Sequence, residues 1–183
     1  MGDDRHHSNP LYGFFLESVR QALGANFGEA DDPAVEAYLA NLLTTFIHSE
    51  AIFGIRNMEG ARIESISEML AEGDVRMKAP NFDREREVHR HIGDFLLFWS
   101  GVFPEMLQQL HGFHTNQPES EAVRLGQFSY SIVSSFDHAP YGVEAPTFTR
   151  LAKDFEAYQH SLRLVRASFE GFRRQGWSDG FSG

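Results

Sequence analysis

The sequence contains no cysteine, and that absence removes disulfide staples, thiolate metal sites and cysteine nucleophiles together. It fits a reducing compartment, so a cytoplasmic location is expected. Basic residues are outnumbered: 16 Lys and Arg against 26 Asp and Glu give a formal net charge of −10. A chain of that sign repels phosphate backbones, so no nucleic-acid partner is expected. Long hydrophobic runs are missing too. No stretch reaches the roughly 18 uninterrupted apolar residues of a membrane span, and the opening "MGDDRHHSNP" has no apolar stretch of signal-peptide type. Alternating β-branched runs, the mark of half-buried strands, are also thin.

What is abundant is phenylalanine. Seventeen Phe raise the aromatic share to 13%. Two readings fit: a core that favours Phe, or a Phe-lined cavity for an apolar ligand. Helical periodicity recurs along the whole chain. Leu11, Phe14, Phe15, Val19 and Leu23 mark a helix from Pro10 to about Ala25. Asp32 before Pro33 supplies an N-cap side chain and a proline at the first helical position. From there Val35, Leu39, Leu42, Leu43, Phe46 and Ile47 form one face, with a continuation through Ile52 and Phe53 possible before the next glycine. A short helix is expected over Arg62 to Glu72, then a loop through Pro80, then a helix capped by Asp83. Further helices are expected from about Ser120 to Phe136 and from Pro146 to about Arg174.

These segments predict an all-α fold: a single-domain helical bundle of about six or seven helices, because each amphipathic face must bury against another. The expected organisation is a flexible N-terminus over 1–9, a helical domain over 10–175 and a flexible C-terminal tail over 176–183.

The segment "EREVHRHIGDFLLFWSGVFPE", Glu85 to Glu105, joins a charged, histidine-rich start to an apolar half. Val88, Ile92, Phe95, Leu96, Trp99, Val102 and Phe103 fall on one stripe of a helix, which Ser100-Gly101 and Pro104 should break. Leu97 and Phe98 lie beside that stripe and could cover a partner face. Glu87, His91 and Asp94 share a face at i, i+4 and i+7, as a metal or proton-transfer site could; a solvated Glu–His pair is the plainer alternative. His111 and His114 are also suitably spaced, although they sit in a polar loop. No Glu-x-x-His pair occurs, so the di-iron bundle pattern is missing, as is His-Glu-x-x-His. Asp94 needs a partner if it sits at the core boundary, since an unpaired buried carboxylate costs several kcal/mol. Arg90 is within reach, and Gly93 suggests a close neighbour.

"RHIGDFLLFWSGVFPE" resembles the pattern Arg-x-(Leu/Ile)-Gly-Asp-x-x-Leu-(Phe/Tyr)-x-x-Gly-x-Phe-Pro-Glu of a group of uncharacterised bacterial all-helical proteins. Two further motifs of that group follow in order, "GQFSY" from Gly126 to Tyr130 and "FTRLA" from Phe148 to Ala152. Together they cover roughly residues 88 to 160. Where those proteins often carry paired tyrosines, this chain has Glu121 and Ala122. The resemblance implies no activity. It does imply a set of positions: Arg90, Gly93, Asp94, Gly101, Pro104, Glu105, Gly126 and Tyr130. Arg90, Asp94 and Tyr130, with Glu105, are the candidate polar cluster or binding site, and Gly93, Gly101, Pro104 and Gly126 the structural positions.

The functional expectation is a non-enzymatic protein-interaction or regulatory module that binds a protein partner or forms a homodimer. The alternative is a ligand-binding or metal- or haem-dependent bundle with a Phe-rich pocket. No cofactor is predicted, and a metal or haem stays open.

Overall fold

A computed structural model describes residues 10–28, 32–47, 65–74, 76–110, 112–113 and 116–178, with side chains through residue 170. Seven α-helices are seen among the described residues: α1 Pro10–Phe27, α2 Pro33–Phe46, α3 Ile66–Gly73, α4 Phe82–Val102, α5 Pro118–Ser134, α6 Ala145–Lys153 and α7 Phe155–Ser178. A 3-10 turn, Pro104–Gln109, lies between α4 and α5. The all-α bundle is as expected. The continuation through Ile52 and Phe53, and the His111 and His114 pair, lie outside the described residues.

Local chemistry accounts for most boundaries. Asp32 caps α2 by accepting the Ala34 amide at 3.0 Å. The cap of α4 is Asn81, which accepts the Arg84 amide at 2.8 Å, and not Asp83. Asp83 instead sits in the first turn and accepts the Tyr141 hydroxyl at 2.9 Å. At its far end α4 stops at Val102. Phe103 leaves helical dihedrals at φ −133°, ψ 60°, and Pro104 opens the 3-10 turn. α7 runs to Ser178, into the stretch expected as a tail.

One expected helix is two. Asp154, at φ −109° and ψ 28°, interrupts the periodic stretch from Pro146 onward. The halves serve different neighbours: α6 packs mainly on α5, whereas α7 packs on α4 and α1. A straight helix could not give both faces to the core, and the break re-aims the second half. Phe155, the first residue after it, is fully buried.

α4 is the central element, packed against α5, α7 and α3. Its centrality changes the reading of Leu97 and Phe98. Both are buried within this chain, at 0% and 3% exposure, so neither is left to cover a partner. Two glycines let neighbours approach α4 and α5 closely. A Cβ on Gly101 would stand 2.8 Å from the Leu162 Cβ of α7, and one on Gly126 would collide with the Phe155 ring.

Candidate functional site

The polar cluster is built where α2, α4 and α5 meet. Asp94 lies on α4 between core residues, and its carboxylate Oδ1 accepts two hydroxyls. Tyr38 of α2 donates at 2.5 Å and Tyr130 of α5 at 2.8 Å. Arg90, one turn earlier, points its Nε at the Tyr38 hydroxyl at 3.3 Å. The arginine therefore reaches the carboxylate through a tyrosine. Its guanidinium also lies over the Tyr38 and Phe148 rings, at 5.4 and 5.6 Å.

The geometry follows from small and large residues placed together. A Cβ on Gly93 would stand 2.5 Å from the Tyr130 ring. Glycine there opens the α4 surface enough for Tyr130 to lie against the helix and present its hydroxyl to the next residue. Tyr130 is fully buried, and its ring also packs on Phe148 and Phe155 at 5.7 and 6.0 Å.

Electrostatics in the cluster oppose one another. Burial pushes Asp94 up to about 6, while Arg90 and the two hydroxyls pull it down. Burial and the Asp94 charge together hold Tyr38 and Tyr130 well above the usual phenol range, so both remain donors. For Arg90 burial works against the charge, but Tyr38 and Asp94 more than offset it, and its pKa is raised. At neutral pH the cluster is an ionised carboxylate fed by two hydroxyls. It locks three helices together. It can also take up one proton near pH 6.

Other sequence candidates go elsewhere. Glu87 pairs with Arg84 at 3.0 Å on the surface. The His91 ring packs against Phe46 and Phe95. With Asp94 turned to the tyrosines, the three do not converge, and among the described residues no group of three or more His, Asp or Glu could hold a metal ion. Glu105 lies apart from the cluster, pairing with Arg166 at 2.8 Å. Arg166 also donates to the Val102 carbonyl at 2.8 Å and lies over the Phe103 ring at 5.1 Å, closing the end of α4 where Pro104 stops it.

Three features escaped the sequence reading. Tyr38 is one; its signal was a hydroxyl-tipped ring beside the apolar face of α2. Another is the burial of His89, which faces another side of α4 from His91, with Nδ1 3.3 Å from the Ser129 hydroxyl and its pKa lowered to about 4, by burial against the opposing influence of Asp74. The third is a formal Gly-x-Ser-x-Gly run over residues 176–180. That pattern does chemistry only on a strand-to-helix turn, whereas here its first three residues continue α7.

No family model, curated protein or solved structure matches this chain. The site must be read from its own geometry.

Proposed function

We propose that the chain is a non-enzymatic helical module that works by binding protein, including a second copy of itself, and that it belongs with the bacterial helical proteins whose motif it resembles. The observation that supports this is an exposed apolar edge. Phe82, at the start of α4, is 66% exposed, and Val143, in the connection over 135–144, is 91% exposed. Scattered apolar side chains on a surface are ordinary. These two stand on segments tied to each other by the Tyr141–Asp83 and Arg86–Glu144 contacts, so they share one edge of the bundle. Asp94, meanwhile, is engaged with Tyr38 and Tyr130, which suits a lock better than a catalyst. Light scattering on the purified protein tests the reading. A dimer mass is expected, falling to a monomer in the double variant Phe82→Ser, Val143→Ser with an unchanged melting temperature. A monomer mass for the unaltered chain at high concentration would remove self-association.

A second reading has its own observation. A cavity of about 140 Å³ opens between α1, α2, α4 and α7, lined by Phe15, Leu43, Phe98, Val102, Val165 and Phe169 among others. That is close to the roughly 150 Å³ of an engineered apolar cavity that holds benzene, and far short of a haem. A small apolar ligand is the occupant it suits. Benzene should raise the melting temperature if the cavity accepts ligands; no shift at saturating benzene would sink this reading.

A further inference from the structure

We infer that the groove where α4 meets the connection over 135–144 is an oxyanion site, in which a ligand carboxylate or phosphate takes the place of the Glu144 carboxylate on Arg86 and Arg90. The site shares Arg90 with the Asp94 cluster, to which it is linked through Tyr38, and the proposal does not depend on self-association.

The groove has a volume of about 550 Å³ and is lined by Arg84, Arg86 and Arg90, with Asp83, Glu87 and Tyr141 among the other residues. On a chain of net charge −10, α4 carries Arg84, Arg86 and Arg90 interleaved with Asp83, Glu85, Glu87 and Asp94. Two of the nearby charges cancel locally, since Glu87 pairs with Arg84. Asp83 accepts the Tyr141 hydroxyl. Asp83 keeps its negative charge in that hydrogen bond, and Arg90 is also linked to Asp94 through Tyr38. The carboxylate that lies against both Arg86 and Arg90 is Glu144, at 2.6 Å from Arg86 and 3.9 Å from Arg90.

Arg86 is the decisive residue. Its side chain is only 8% exposed, and its buried Nε has no hydrogen-bond partner among the described residues. Burying a guanidinium with donors unused is costly, and a planar oxyanion is the group that matches the guanidinium fork. The arginines are also held ready. Arg86 lies 4.0 Å from the Tyr141 ring centroid and 5.7 Å from that of Phe148, and Arg90 is stacked on Tyr38 and Phe148. Side chains fixed in this way lose little further entropy when a ligand arrives.

Glu144 has the opposite character. Its side chain is 49% exposed, and it sits at the end of a turn, immediately before α6. Leaving Arg86 unpaired would be costly, so Glu144 moves into solvent only as a ligand anion takes its place on both guanidiniums. Glu144 is thus a built-in stand-in for the ligand: it keeps the arginines neutralised when the groove is empty and competes when an anion comes.

The test is an NMR titration with inorganic phosphate and, separately, with succinate, at ionic strength held constant with sodium chloride. Saturable shifts are expected at the amides of residues 86, 90 and 141. The variant Glu144→Gln removes the competing charge and should bind roughly tenfold more tightly, while Arg90→Gln should lose most of the binding. Saturation by phosphate alone supports a phosphate-bearing ligand, and saturation by both supports the wider oxyanion class. If neither anion saturates in Glu144→Gln, or if that variant binds no more tightly than the unaltered chain, the proposal is overturned.

Discussion

The ring of Tyr130 occupies the space that a Cβ on Gly93 would need, 2.5 Å from that position, and its hydroxyl reaches Asp94, the next residue along α4. The glycine and the carboxylate are therefore one device. The first admits the ring and the second receives its proton donor. Both sit on the central helix, so the device joins α4 to α5, and Tyr38 extends it to α2.

Gly93→Ala should be destabilising although alanine is the better helix former. Forcing a methyl against a rigid buried ring costs about 1–3 kcal/mol, against a propensity gain of about 1 kcal/mol. The clash outweighs the gain by up to about 2 kcal/mol, a fall of up to roughly 8 °C in melting temperature. The cost should disappear in a Tyr130→Ala background; if it persists there, the ring is not the cause.

Asp94→Ala leaves the hydroxyls of half-buried Tyr38 and buried Tyr130 without their acceptor and should cost about 2–4 kcal/mol. Asp94→Asn keeps a carbonyl oxygen in place and relieves the burial of charge, so it should cost clearly less. Thermal melts at neutral pH distinguish them. Equal losses in the two variants would mean that the charge, and not the acceptor, holds the helices.

A half-buried carboxylate and a buried imidazole make opposite demands on pH. Burial raises Asp94 to about 6 from 3.8, so its contribution to stability is full below the unfolded value and is lost as pH rises through about 6. His89 is lowered to about 4 from 6.5, so its contribution is present above the unfolded value and is lost as pH falls through about 4. Each integrates to about 3 kcal/mol, and over the shared window they nearly cancel. Asp94→Asn removes one side of the balance. Its melting temperature should drop away from that of the unaltered chain by roughly 5–10 °C between neutral pH and the lower end of the window. Parallel pH profiles would contradict this.

Glu105→Gln should be almost silent. The pair with Arg166 leaves Glu105 52% exposed, and surface ion pairs of this kind contribute about 0–1 kcal/mol. Arg166→Ala should cost more, because it also uncaps the Val102 carbonyl and removes the contact with Phe103. Chemical denaturation of both variants checks the order; equal effects would place the whole contribution in the ion pair.

Tyr130 came only from the motif resemblance, whereas sequence alone was sufficient for the helical class, the cap at Asp32, the break near Pro104 and the interest of Arg90, Gly93 and Asp94. These are local or periodic properties: an apolar face repeats every turn, a proline lacks its amide hydrogen, and a carboxylate among apolar neighbours demands a partner. It could not say which partner. Tyr38 is more than fifty positions away from Asp94 in the chain, and only packing brings α2 onto α4. The burial of Leu97 and Phe98 was equally out of reach, since one stripe describes a helix at the edge of a bundle and α4 lies at its centre. The Asp154 break and the sharing of Glu144 by two arginines belong to the same class. Both depend on which elements become neighbours, and a single chain position carries no record of what will face it.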